Sequence, residues 1–399
     1  MDHVTSAILE PPRAAEKPQA YSVPFGVNEI RLSARQWLAA LLIVTLVLVA
    51  TPRLWRKVER FDPAADYRIP YALSKDYWLC QRRLEQLKEP STVAVLGDSV
   101  VWGEYVRPEG TLSHFLNRQA DSPNRFANCG VNGLFPLAME GLVDHYAAAL
   151  RGRKVLLHCN LLWMSSPKAD LHTRKEQTFN HYRLVPQFIP WIPCYRADAN
   201  ERLGVVIEQH VPFSSWVGHL QNAYYDQRSI PAWTLVDDEG TPPHYPNAWA
   251  NPLAPIGRGI PTDPPNDPQR GPSSSRHKPW DAAGAETISF EWVELDTSFQ
   301  WQAFQRTVHL LQSRQNDLLV VVGPFNEHLI DPEQRGTHSA MRDRVAAWLV
   351  AQKIPHVIPE TLPSRLYADA SHPLTEGYDL LAQRFWADST FRAWLARGD

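Results

Sequence analysis

Short, continuously apolar runs, each closing at a small or polar residue, limit this fold more than any other feature. Residues 92–96, 154–159 and 318–322 lack the polar alternation of a half-exposed strand, so they predict strands covered on both faces. Residues 125–129 and 356–358 add two shorter candidates. Helical segments separate them: 111–119, 136–150 beginning with Pro, and three stretches with apolar residues at helical spacing. These three stretches carry Trp301, Phe304, Val308 and Leu311, then Met341, Val345, Trp348 and Leu349, then Leu374, Tyr378, Leu381 and Phe385. Such alternation predicts an α/β domain, with about five mostly parallel strands and helices on both faces of the sheet. The site of such a sheet lies beyond the carboxyl ends of its strands.

A second constraint lies near the N-terminus. Residues 36–52 carry no charge and are almost wholly apolar, with Trp37 and Trp55 where interfacial aromatics belong. About 17 uncharged residues span roughly 25 Å as a helix, a minimal crossing of a bilayer. A core helix would be amphipathic, and a cleaved signal would need a smaller residue than Leu48 three positions before a cut after Ala50. An uncleaved single-pass anchor over residues 36–55 is therefore expected, with the lipid bilayer as its partner. Residues 1–35 are expected to form a mobile tail, and 56–90 a connecting segment with a helix between 67 and 90. Arg53, Arg56, Lys57, Arg60 and Arg68 after the span outnumber Lys17, Arg31 and Arg35 before it, which favours a cytoplasmic C-terminal part.

The chain of 399 residues has room for two domains, or for one domain with a large insertion. The strand–helix pattern covers 91–164 and 299–399. Half of the 34 prolines fall between them, in 165–298, including Pro261, Pro264, Pro265, Pro268 and Pro272. Trp191, Trp216, Trp233, Trp249, Trp280 and Trp292 are spread through the same region. It reads as an insertion after the third strand, expected to overhang the cleft. Its tryptophans suit either sugar stacking or a small satellite core. A net charge of −3, from 40 basic and 43 acidic residues, argues against a nucleic-acid partner. Four cysteines without C-x-x-C or Cys/His ligand spacing argue against a disulfide scaffold or a zinc module.

Candidate chemistry sits at strand ends. Gly97-Asp98-Ser99-Val100 follows the first strand, where a turn into a helix can expose a hydroxyl beside free backbone N–H groups. Asp369-Ala370-Ser371-His372 precedes the last helix, and three residues of separation let a carboxylate reach one imidazole nitrogen while the other faces the cleft. Asn128-Cys129-Gly130-Val131-Asn132-Gly133 and His158-Cys159-Asn160 end the second and third strands, offering the Gly133 N–H and the Asn160 amide. Singly, each also has a bland reading, as a capping residue, a surface His, a turn glycine or a turn Asn, and for Gly133 and Asn160 the turn reading is favoured. Asn326 and His328, in the turn after the fourth strand, are candidates for lining a substrate site, with local hydrogen bonding as the alternative for His328.

In this order, the blocks resemble the SGNH (GDSL-type) hydrolase superfamily over residues 92–164 and 317–390. The resemblance implies a flavodoxin-like, three-layer α/β/α domain with Ser99 as nucleophile, His372 as base and Asp369 as its orienter. It also implies an oxyanion hole from Ser99, Gly133 and Asn160, and neither metal nor organic cofactor. Val100 stands where the family usually has Leu, and His158-Cys159-Asn160-Leu161 departs from the usual Gly-x-Asn-Asp. Trp102-Gly103-Glu104 also resembles the first block of membrane-associated members that modify polysaccharides. The expectation is a membrane-anchored serine esterase or O-acyltransferase acting on an acylated glycan or similar hydroxyl compound. The alternatives are a non-catalytic binding or scaffolding protein of the same fold, and a lipase or phospholipase. The resemblance further implies a bacterial inner-membrane protein with its catalytic domain outside the cytoplasm, against the count of basic residues.

Overall fold

The computed structural model describes residues 32–397 apart from 88, 229–252, 254, 265–276, 283 and 285. The expected tail therefore lies outside the described residues up to 31, as do Trp233, Trp249, Pro265, Pro268 and Pro272. The chain divides into a unit ending at Val47 and a unit beginning at Leu48.

Helix α1 (Ala34–Val58) is long and apolar enough to cross a membrane. It runs through Pro52, three residues past the expected anchor. Proline removes only one N–H donor, and the following turn is tied down: Trp55 Nε1 donates to Glu59, and Arg56 to Gln81 and Glu85. The expected helix over 67–90 is shorter. Pro70 and a 3₁₀ turn at Tyr71–Leu73 precede it, and Asp76 caps α2 (Tyr77–Glu85) by accepting from Leu79 N–H at 2.9 Å.

In the second unit the strand–helix alternation appears as read. β1 (Val93–Gly97) leads through α3 (Ser99–Trp102) and α4 (Leu112–Gln119) to β2 (Phe126–Gly130). Then come α5 (Pro136–Tyr146), which stops before a 3₁₀ turn at Ala148–Leu150, and β3 (Lys154–Cys159). The region 165–298 includes α6 (Ala199–His210) and α7 (Pro212–Tyr224). After it follow α8 (Phe299–Ser313), β4 (Asp317–Val322), α9 (Arg335–Ala351), β5 (His356–Val357), α10 (Thr375–Ala387) and α11 (Ser389–Leu395).

The five strands form one all-parallel sheet in the order β2-β1-β3-β4-β5. Strand period divides its side chains between two cores. Ala94, Leu96, Val155, Leu157, Val320 and Val322 pack with residues of α2, α5, α8 and α9. Val93, Val95, Leu156, Leu319 and Val321 pack with α3, α4, α10 and α11 on the other face. That burial on both faces is why the strands are apolar at most positions, with Asn128, Lys154, His158, Asp317 and His356 as the exceptions. The strand order reverses between β1 and β3, the place beyond whose carboxyl ends open α/β sheets hold their sites.

The insertion does not simply overhang this place. α7 packs on α2 and on the end of α1, with Trp216 edge-on to Trp55 at 6.0 Å. Trp280 donates to Ser364, and Trp292 packs at tilted angles among Phe290, Phe325 and His338, so these tryptophans build satellite packing. Trp191 remains half-exposed under the Arg202 guanidinium. The segment near residue 180, however, reaches the turn after β2. All four cysteines are free and buried.

Candidate active site

The turn after β1 is built by its own sequence. Asp98, in extended backbone, caps α3 by accepting from Val100 N–H at 2.9 Å, which places Ser99 in the first position of that helix. Two elements pin the turn from outside. Arg68 donates to the Trp102 and Gly103 carbonyls and stacks over the Trp102 ring, while Tyr378 of α10 donates to Val100 O at 2.7 Å. Asp98 is buried, and its Oδ2 accepts from Trp163 Nε1 at 2.9 Å and Asn160 Nδ2 at 3.2 Å. Burial by itself would raise its pKa. His158, whose Nδ1 lies 3.1 Å away, together with the Val100 N–H, outweighs burial and brings it to about 2.

Two hundred and seventy-three residues later, His372 meets this turn: its Nε2 lies 2.8 Å from Ser99 Oγ. Nδ1 lies 2.8 Å from both oxygens of Asp369, and Asp369 Oδ1 also accepts from the Ser371 and His372 N–H groups at 2.9 Å. The imidazole therefore donates from Nδ1 to Asp369 and can accept at Nε2 from the serine hydroxyl. Burial opposes charging His372, but Asp369, Glu104 and Asp98 outweigh it and raise its pKa above the ordinary value. The Asp369 pKa is lowered; burial opposes this, but the His372 contact and the two backbone donors prevail.

Of the candidate oxyanion donors, Asn160 is tied to the Ser99 turn through Asp98, and Gly133 lies on the turn after β2, the strand paired with β1. Neither the Ser99 nor the Gly133 N–H donates to a backbone carbonyl among the described residues. Gly133 has φ +72°, a conformation that favours glycine, and a methyl there would come within 2.3 Å of Asn180 Nδ2. Asn160 is buried at the end of β3 and spends one amide hydrogen on Asp98, leaving the other. Its Oδ1 accepts from Leu162 N–H at 3.0 Å, which fixes the amide's orientation.

Asn326 and His328 lie elsewhere than expected. Asn326 is fully buried, donating from Nδ2 to Asp369 O at 3.1 Å and from its N–H to Ala370 O at 2.8 Å. It braces the Asp369 loop and cannot face a ligand, which corrects its reading as a substrate-site residue. His328 binds Leu362 O through Nε2 at 3.0 Å, the local alternative.

Three contributors escaped the sequence reading. Glu104 Oε2 lies 3.5 Å from His372 Nε2, and the Tyr105 ring stands edge-on to the imidazole at 5.3 Å with φ +68°. His181 of the insertion approaches Asn132 O at 2.7 Å through Nε2 and the Tyr77 hydroxyl at 3.1 Å through Nδ1. Burial lowers its pKa to about 4, so the neutral ring donates to Asn132 and accepts from Tyr77, bracing the turn before Gly133. A local signal existed only for Glu104, which belongs to the first block; His181 is remote and lies in a segment without periodicity. Among the described residues, no group of three or more His, Cys, Asp or Glu could hold a metal ion. No protein-family model matches the chain, and no curated protein matches its sequence significantly.

Proposed function

We propose that the chain is a membrane-anchored serine esterase or O-acyltransferase of the SGNH (GDSL) type, acting on an acylated hydroxyl compound such as a glycan. The observation that carries this reading is the run from Asp369 through His372 to Ser99, with both links at 2.8 Å. A binding protein has no use for a serine hydroxyl aligned on a carboxylate-supported imidazole.

On this reading, Ser99 Oγ attacks the ester carbonyl and its proton passes to His372 Nε2. Asp369 holds the Nδ1–H tautomer and stabilises the imidazolium. The Ser99 and Gly133 N–H groups and the Asn160 amide receive the oxyanion, each donor contributing about 3–4 kcal/mol. His372 returns the proton to the departing alcohol. Water or an acceptor hydroxyl then repeats the sequence on the acyl-enzyme, and Ser99 recovers its proton. The apolar helix α1 supports single-pass anchoring of this unit at a bilayer.

A fluorophosphonate probe tests the reading. Covalent labelling of the wild type that disappears in Ser99→Ala is expected. Unlabelled wild-type protein, or labelling that survives the substitution, refutes it. Turnover of an acetyl ester with and without a sugar acceptor separates transfer from hydrolysis.

A further inference from the structure

We propose that the insertion builds a binding cleft for an uncharged, polyhydroxylated chain, a neutral oligosaccharide, leading away from Gly133. The proposal deepens the catalytic reading above and rests on it for the cleft's purpose, although not for binding.

Two cavities carry the inference. One, of about 280 Å³, begins at Gly133 and is walled by Phe135, Ala169, Leu171 and Phe179. The other, of about 720 Å³, lies between the segment near residue 180 and helix α6. Gln177, Thr178, Phe179 and Asn180 line both, so one short strip joins the candidate oxyanion turn to the larger space. That space is large enough for a ligand of several rings.

The lining selects the chemistry. Phe179, Tyr182 and Tyr195 form a linked aromatic group, with centroids 5.6 Å apart for Phe179–Tyr195 and 6.2 Å for Tyr182–Tyr195. Tyr182 is exposed to the cavity side of the surface at 38%. The Tyr182 and Phe179 rings, backed by the buried Tyr195, match the C–H faces of sugars, while the Gln177 and Asn180 amides and the Thr178 hydroxyl match their rims. Charge is balanced: Lys75, Arg183 and Arg196 face Glu176, Glu201 and Glu208. A polyanion or polycation would meet as much repulsion as attraction, whereas a neutral polyol can use both signs as donors and acceptors.

Gly204 adds an independent sign that the space is kept open. It lies inside α6, where glycine costs roughly 1 kcal/mol relative to alanine. A Cβ there meets no heavy atom within 4 Å among the described residues, so packing does not require the glycine, and it lines the larger cavity. Alanine at this position would favour the helix, and a bulky side chain on this exposed position can reach into the space.

The test uses the full chain in detergent micelles, carrying Ser99→Ala so that binding is read without turnover. Immobilised neutral oligosaccharides of the xylo, manno, cello and chito series are compared with uronate-containing ones. At least one neutral series is expected to be retained, with Gly204→Phe weakening it about ten-fold or more while the melting midpoint does not fall. Retention of uronates alone, retention of none, or equal retention by Gly204→Phe overturns the proposal. Failure of the catalytic reading shows separately, as absence of fluorophosphonate labelling in the wild type with glycan retention intact.

Discussion

His372 is pulled in two directions: its burial favours the neutral ring, and the carboxylates of Asp369 and Glu104 favour the charged one. The carboxylates prevail, so its folded-state pKa lies above the ordinary 6.5. A general base must be neutral, so the rising limb of kcat/KM against pH is expected above 6.5. Glu104→Gln removes one source of the upward shift and should move that limb to lower pH, measured on a small acetyl ester. An unmoved limb means that Glu104 does not act on the base. Asp369→Asn leaves space and shape but presents the wrong hydrogen-bonding partner, and is expected to lower kcat about 10⁴-fold. At this scale Ser99, Asp369 and His372 were legible, because each lies on a turn whose local sequence places it. Glu104 and Tyr105 lay in plain view, yet their approach to the imidazole depends on a turn with two positive φ values, at Gly103 and Tyr105.

Among the elements, α5 and the insertion share a contact without slack. A Cβ on Gly141 would lie 1.9 Å from the Leu184 carbonyl oxygen, so α5 and the 181–187 segment touch backbone to side-chain position. Gly141→Ala would ordinarily favour a helix, yet here it is expected to cost about 3 kcal/mol or more through overpacking. Urea unfolding measures that loss. Because His181 lies on the displaced segment and braces Asn132, the proposed esterase activity should fall in the native protein as well. A variant of wild-type stability means that the two backbones do not meet. The strands were legible from their continuously apolar runs, and most helices of the α/β domain from helical spacing or an N-terminal Pro, although α11 was not. α6 and α7 were not, because they lie in a Pro-rich region without strand–helix alternation and pack on elements other than the sheet.

Across the second unit, a buried cluster ties the end of α1 to the insertion. His219 lies 2.7 Å from both Glu59 and Asp76, and Trp55 and Tyr224 donate to Glu59 at 2.9 Å. Burial opposes charge on His219, but the two carboxylates raise its pKa from 6.5 to about 9. A pKa raised on folding stabilises fully below 6.5, and that stabilisation is lost as pH climbs through 9. The difference corresponds to something on the order of 3 kcal/mol. The Glu59 pKa is lowered, with the His219 contact and the ring and hydroxyl donors overcoming burial. Its contribution is present above 4.5 and disappears on acidification. Thermal melting of the detergent-solubilised chain should therefore fall between pH 6.5 and 9, with a flatter profile in His219→Gln. Equal profiles refute a charged His219.

What the sequence determined by itself is whatever a few neighbouring residues decide. Apolar runs give strands, helical spacing gives helices, Asp98 caps its own turn, and Asp369 reaches His372 across three residues. The apolar stretch of α1 is of the same kind, since hydropathy needs no partner. Only the tertiary structure decided that Ser99 and His372, 273 residues apart, meet at 2.8 Å. It likewise turned Asn326 into a brace and His181 into a support for the Gly133 turn. Those roles depend on which surfaces the two cores bring together, and side-chain packing across elements leaves no periodic trace in the chain.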